Sequence, residues 1–233
     1  MIKGVAFDME GTVVNVEPAH HGAWIRAAEE IGVVLANPQE ATQKIPNFIG
    51  GPDDAIIEQI FALQSEIRPT LVKDKGVFLN RKWQHYDTLI KTMDLRPRKG
   101  FCEVYGMLRC TGIPVTIGTA VDLDKGMVLL RRSGLDRLFS LQEIVMITDV
   151  SRTKPAPDCF LETARRMRIG PNTQLVFEDS PRGVKSGVAA GSVVIGMPTY
   201  DNPIVKQKLN DAGAREIYLN WEAIDIDQLL RKF

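Results

Sequence analysis

Two acids two positions apart, Asp8 and Glu10, come directly after the short apolar run Val5 to Phe7, with Gly11 and the hydroxyl of Thr12 behind them. Carboxylates so placed can divide a reaction, one as nucleophile or metal ligand and the other as general acid and base. Gly11 allows a sharp turn, which would aim Glu10 at the same point as Asp8. Three later stretches carry groups suited to the same chemistry. Val115-Thr-Ile-Gly118 runs into Thr119 and Ala120, a hydroxyl and a small residue beside which backbone N–H groups can approach an anion. Lys154 lies in Thr153-Lys-Pro-Ala-Pro157, where prolines stiffen the loop and lower the entropy cost of aiming an ammonium. Glu178 and Asp179 end another apolar run and precede Ser180-Pro181, a cap and first residue for a helix. Joined by Asp8, those acids make an all-oxygen site for Mg²⁺. Each stretch alone has a plainer reading as a surface acid, solvated hydroxyl, surface lysine or helix start. Taken in order, they supply a nucleophile, a hydroxyl and a lysine for phosphate, and acids for a metal, which is what phosphoryl transfer requires.

Such groups need a scaffold that brings distant stretches to one edge. A continuous apolar run suits a strand buried on both faces, as in a parallel sheet, whose ligand crevice lies outside the carboxyl ends of its strands. Val115 to Gly118, Ile144 to Ile147, Leu175 to Phe177, Val193 to Gly196 and Ile217 to Leu219 read as further strands. Helical stretches near 122–133, 158–168, 181–190, 202–211 and 222–232 lie between or after them. That alternation predicts an α/β fold with a parallel sheet and helices on both faces.

Between the first strand and the rest, the pattern is all-helical. Pro18 to Ile31 carries Trp24, Ala27, Ala28 and Ile31 at helical spacing, and Asn37-Pro38 and Pro46 punctuate the stretch after it. Gly50-Gly51-Pro52-Asp53-Asp54 opens a second helix, and a third is expected from near Pro69 to about Met93. Arg96-Pro97-Arg98-Lys99-Gly100 reads as a linker. The expected organisation is a catalytic core of residues 1–15 and 96–233 with an inserted helical domain, 16–95. An insertion starting just after Asp8 and Glu10 is expected to act as a lid over the crevice.

Composition narrows the functional classes. The 233 residues are 44% hydrophobic and 25% charged, with 29 basic and 29 acidic residues. A balanced charge argues against a nucleic-acid or anionic-membrane surface. No apolar run approaches the roughly 18 residues of a membrane span, and Asp8 and Glu10 would interrupt a signal peptide. Cys102, Cys110 and Cys159 lack metal-ligand spacing and are expected as reduced, half-buried thiols. A cytoplasmic protein, monomeric or a weak homodimer, is the expectation.

Asp8-Met-Glu-Gly-Thr12, Thr119, Lys154-Pro-Ala-Pro-Asp158 and Phe177-Glu-Asp-Ser180 together resemble the haloacid dehalogenase superfamily. The likeness is to its branch of small phosphatases and phosphosugar mutases, the β-phosphoglucomutases among them, with a helical cap after the first strand. The resemblance implies a Rossmann-like core with the first strand central, and phosphorylation of Asp8 during turnover. It implies that Mg²⁺ binds the Asp8 carboxylate, the Glu10 carbonyl oxygen and the Glu178-Asp179 pair. Thr119 and Lys154 would hold phosphate oxygens, and Lys154 would also neutralise Asp8. Glu10 stands where most relatives carry Asp; enolase-phosphatases share Asp-x-Glu-Gly-Thr, so the longer acid is compatible with activity. In the cap, His20, Trp24 and Arg81-Lys82 match residues of the mutases, while Asp53 falls where those enzymes carry an arginine for a second phosphate. The substrate set implied is Thr12, His20, Lys82, Thr119, Ala120 and Lys154. The leading expectation is a Mg²⁺-dependent phosphatase for a small phosphorylated metabolite. The alternatives are a phosphosugar mutase and a binding protein of the same fold impaired at Glu10. A dehalogenase has no use for the Glu178-Asp179 pair.

Overall fold

The computed structural model describes residues 1–49, 51–67 and 74–233, apart from the side chains of Gln39 and residues 65–67. They fall into two compact units, Met1–Asn15 with Leu95–Phe233, and Val16–Asp94.

The chain opens with strand β1 (Gly4–Phe7) and then enters the second unit, built from α1 (Glu17–Glu30), α2 (Pro38–Lys44), α3 (Asp53–Ile67) and α4 (Lys75–Ile90). Asn37-Pro38, expected only as punctuation, starts α2: the Asn37 side chain accepts the Glu40 N–H at 2.9 Å. Proline suits the first turn because its missing N–H would have no partner there. Asp74 caps α4, accepting the Val77 N–H at 3.0 Å. The start expected near Pro69 lies outside the described residues, and α4 ends at Ile90, short of Met93. Trp24, Ile31, Leu35, Ile45, Phe48, Ile57, Ile60 and Phe78 form this unit's own apolar cluster.

The other unit continues through α5 (Phe101–Thr111), β2 (Val115–Gly118), α6 (Leu123–Ser133), β3 (Ile144–Val145), α7 (Asp158–Met167), β4 (Gln174–Glu178), α8 (Pro181–Ala189), β5 (Val193–Gly196), α9 (Pro203–Ala212), β6 (Glu216–Ile217) and α10 (Ile226–Lys232). The six strands form one sheet in the order β3-β2-β1-β4-β5-β6, and every pairing is parallel. β1 is therefore interior, with Phe7 opposite Ile117 on one side and Phe177 on the other. Its four residues are all buried, as the continuous apolar run requires. Phe7 stacks on Phe177 at 5.6 Å and meets Phe101 and Trp221 edge-on.

The differences from expectation lie at the margins. Helix α5 was not expected, although Phe101, Val104, Tyr105 and Leu108 repeat at helical spacing and are buried. β3 stops at Val145 because Met146 begins a short turn in which its N–H bonds Asp149 at 2.8 Å. β6 covers Glu216–Ile217 and leaves Leu219 beyond the sheet. Cys102 and Cys110 are exposed and Cys159 is buried, so none is intermediate.

Candidate active site

Asp8 sits at the carboxyl end of the interior strand, its N–H still bonded to the Phe177 carbonyl at 2.9 Å. Beyond it the chain turns at once, with Gly11 N–H on the Val14 carbonyl at 2.7 Å and the Val13 and Val14 N–H groups on Met9. Gly11 has φ +82°, and a Cβ there would lie 2.2 Å from Asp179 Oδ2. Only glycine accepts both the left-handed backbone and that approach. The turn thus passes against Asp179, and the Thr12 hydroxyl donates to Asp179 Oδ1 at 3.1 Å.

Lys154 enters from the loop before α7. Its ammonium donates to Asp8 Oδ1 at 2.6 Å, Glu178 Oε1 at 2.8 Å and the Gly118 carbonyl at 2.9 Å. These contacts use all three N–H groups of a lysine, and the residue is only 5% exposed. The loop is fastened from α8: Arg182 donates to the Lys154 carbonyl and the Ser186 hydroxyl to the Ala156 carbonyl, both at 2.6 Å. Neither residue was singled out in the sequence, since a side chain reaching a distant carbonyl leaves no local pattern. Glu178 is held from its other oxygen by the N–H and hydroxyl of Ser180, at 2.8 and 3.0 Å. Its carboxylate lies over the first turn of α8, where a Cβ on Gly183 would fall 1.5 Å from Glu178 Oε1.

Charge and burial work against each other here. Burial is the main cause that pushes the Asp8 carboxyl up to about 7; Lys154 opposes it, while Glu178 and Glu10 add to it. For Lys154, burial disfavours the ammonium, but Asp8, Glu178 and Cys159 outweigh it and raise its pKa well above the usual lysine value. The cluster is a permanent cation set in an excess of acids. Asp8, Glu178 and Asp179 each place a carboxylate oxygen within 4.8 Å of the others. Three hard oxygen donors facing one ammonium fit a small divalent cation such as Mg²⁺, and lack the soft donors other metals prefer. Such an ion would draw Asp8 back to its carboxylate form.

The remaining candidates divide between the units. Glu10 is half-buried on the turn, where its backbone bridges Val14. Thr119 comes after β2 at the same edge of the sheet, its N–H on the Val145 carbonyl at 2.9 Å, and Ala120 beside it is exposed. His20 and Lys82 belong to the helical unit and form a cluster of their own. The Lys82 ammonium lies 3.3 Å from His20 Nδ1 and 3.5 Å above the Trp83 ring, with Trp24 at 5.0 Å and Tyr86 at 5.8 Å. It is 1% exposed, far from the solvated lysine that its helical position suggests. At the start of α1, burial would raise the half-buried Glu17 carboxyl, but His21, His20 and Lys82 outweigh it and lower its pKa. Asp53 is the first residue of α3.

A profile of the haloacid dehalogenase-like hydrolases matches residues 2–191. Fructose-1-phosphate phosphatase YqaB of Escherichia coli (strain K12) is 29% identical over 190 residues, covering 81% of this chain and 92% of that protein. Hexitol phosphatase A of the same organism is 28% identical over 201 residues, covering 84% and 82%. A solved structure of a conserved haloacid dehalogenase-like protein from Agrobacterium tumefaciens str. C58 matches with a TM-score of 0.81 at 22% identity, over 100% of this chain and 99% of that one. At that identity the likeness speaks for the fold.

Proposed function

Because the chain belongs to the haloacid dehalogenase-like hydrolases, we propose that it is a Mg²⁺-dependent phosphatase that acts on a small phosphorylated metabolite through a phosphoaspartate at Asp8. The observation that carries this reading is the buried Lys154 ammonium bonded to both Asp8 and Glu178. That arrangement keeps a nucleophilic carboxylate beside a fixed positive charge, as attack on an anionic phosphoryl group requires. Similarity to phosphatases named for fructose 1-phosphate and hexitols supports a sugar or polyol monophosphate as the substrate class.

In this mechanism an Asp8 oxygen attacks phosphorus while the bond from phosphorus to the ester oxygen breaks. Glu10 gives its proton to that leaving oxygen. Glu10 then takes a proton from a water molecule, which attacks the phosphoryl group on Asp8 and releases inorganic phosphate with the carboxylate restored. The hydroxyl of Thr119 holds a phosphoryl oxygen through both steps, and the Lys154 ammonium, fixed on Asp8, draws the phosphoryl oxygens by its charge. Asp8, Glu178, Asp179 and the Glu10 carbonyl would hold Mg²⁺, which when bound supplies a Lewis acid for the phosphoryl charge. Thr12 orients Asp179. The helical unit is the substrate-selecting part in this reading, with His20 and Lys82 as its proposed contacts.

The test is a panel of sugar and polyol monophosphates assayed for phosphate release with Mg²⁺ and with chelator. Asp8→Asn is expected to lose turnover by at least roughly 10⁴-fold, as removal of a nucleophile does. Near-normal release by that variant would overturn the covalent mechanism. Isomerisation of a sugar phosphate without release would instead identify a mutase.

A further inference from the structure

The segment Arg96-Pro97-Arg98-Lys99-Gly100, a linker in the sequence, lies against the turn beyond Asp8. Pro97 pairs with Val14, and the Arg98 N–H bonds the Val13 carbonyl at 2.7 Å. The Arg98 side chain reaches further. Its Nη1 donates to the Gly11 and Met197 carbonyls, both at 2.8 Å, and more distantly to Thr12 at 3.4 Å. Its Nη2 donates to the carbonyls of Pro198 at 3.2 Å and Leu219 at 2.6 Å. These acceptors belong to separate loops, after β1, after β5 and after β6. Backbone carbonyls converging on one point repel one another and, when buried, cost free energy unless a donor or cation sits among them. A guanidinium supplies a charge and a planar fork of N–H donors; an ammonium offers fewer and cannot span the loops.

The tether leads straight to the reacting groups. Gly11 is the residue after Glu10, and Thr12 donates its hydroxyl to Asp179 at 3.1 Å. The Thr12 carbonyl is held from a second direction by the Trp221 indole N–H at 3.2 Å. The geometry points to Arg98 as a positioning residue: a tethered cation that fixes the Gly11–Thr12 turn and, through the Thr12 hydroxyl, the orientation of the Asp179 carboxylate. The inference rests on the phosphatase reading of Asp8 for its catalytic meaning. The phosphate grips, Lys154 and Thr119, bond to other partners than Arg98, so substrate affinity is largely spared while cation affinity and the aim of Glu10 are lost.

The experiment compares the wild type with Arg98→Ala and Arg98→Lys by Mg²⁺ calorimetry, amide hydrogen exchange and steady-state kinetics. In Arg98→Ala, Mg²⁺ affinity is expected to fall about 10- to 100-fold, the range typical of groups that orient metal ligands. The kcat falls by a similar factor while KM changes by less than about twofold, the signature of an interaction that matters in the transition state. Exchange at Gly11, Val13 and Val14 accelerates, while Val176 within β4 stays protected. Dilute guanidinium, at concentrations too low to unfold the protein, is expected to restore part of both losses, and equal urea is not. Should Arg98→Ala fail to fold, Arg98→Lys must show the same losses in affinity and protection. Wild-type Mg²⁺ affinity and wild-type protection of the turn in either folded variant would overturn the proposal. A wild type that hydrolyses no phosphomonoester would sink the phosphatase reading instead, and the calorimetric and exchange results would still decide the role of Arg98.

Discussion

Each unit buries a lysine, and the two are buried in opposite ways. In the sheet unit Lys154 is surrounded by acids and a carbonyl, with bonds of 2.6 to 2.9 Å. In the helical unit Lys82 is surrounded by ring faces at 3.5 to 5.8 Å and by His20. Carboxylates fix an ammonium in direction as well as charge, because each bond has a preferred line. Aromatic faces compensate the charge but leave its position looser, since the attraction varies slowly across a ring. Neighbouring carboxyls show the same division. Asp8, in an acid-rich setting, is pushed up to about 7, while Glu17, beside His21, His20 and Lys82, is lowered. Burial penalises the ionised form of both, and the balance of neighbouring charge decides which way each moves.

The sharpest way to break this contrast is Lys154→Met. Removing the ammonium strands two buried carboxylates, a loss typically of about 3–5 kcal/mol in stability. Turnover should fall on the order of 10²- to 10³-fold, as when a preorganised donor is deleted. Chemical denaturation and phosphate release would both read it, and a variant near wild type in both would show that the acids do not need their cation. Next in size is Gly183→Ala. A methyl group there must displace the Glu178 carboxylate, so Mg²⁺ affinity measured by calorimetry should weaken about 10- to 100-fold while α8 stays folded by circular dichroism. Unchanged affinity would remove Glu178 from the metal site.

The two acids should give opposite pH dependences, with the protein kept in chelator. Asp8 has a folded value above its ordinary 3.8, so the native state binds the extra proton between 3.8 and about 7. Its contribution to stability is full below that window and is lost as the pH rises through about 7. Glu17 is lowered from 4.5, so its contribution is present above that value and is lost as the pH falls through its folded value. Asp8→Asn should therefore gain on the wild type from pH 3.8 to about 7 in thermal unfolding and keep that gain above it. Glu17→Gln should be the weaker protein at neutral pH and draw level in acid. Parallel pH profiles for the two variants would refute the division. The smallest effect is expected from Lys82→Met. The flexible thioether fills the aromatic box and recovers part of the lost cation–π attraction, leaving stability within about 1 kcal/mol. A loss as large as that of Lys154→Met would mean that rings, His20 and the nearby Glu17 together hold a charge as firmly as two bonded carboxylates do.

The parts of the molecule that could be read from the chain are those with a local signature. Val115–Gly118 and Val193–Gly196 occupy the expected strand residues, because buried parallel strands are continuous apolar runs. Asp8, Glu178 and Asp179 stand out as acids where such a run stops, and Lys154 as a base just ahead of two prolines in the loop before a helix. Helix α5 was legible in principle from Phe101, Val104, Tyr105 and Leu108, but the glycine and charges before it marked only the linker. The short β3 and β6 are edge pairs in which register, not composition, decides where pairing ends. The contacts that cross the fold could not be read. Arg98 reaches Leu219 across 121 positions and Arg182 reaches Lys154 across 28, and both use backbone carbonyls, which every residue has. The burial of Lys82 could not be read because Trp24, one of the rings that cover it, comes from another helix.

The interior place of β1 also bears on the order in which the protein is made. This strand emerges first, yet the strands that flank it, β2 and β4, begin at Val115 and Gln174. The helical unit has its own apolar cluster and is finished at Asp94. Chains lengthen at about 5–20 residues per second, so β4 emerges roughly 4 to 16 s after the end of that unit. For most of that interval β1 has β2 on one side at most and lacks its other neighbour, while the inserted unit is free to fold.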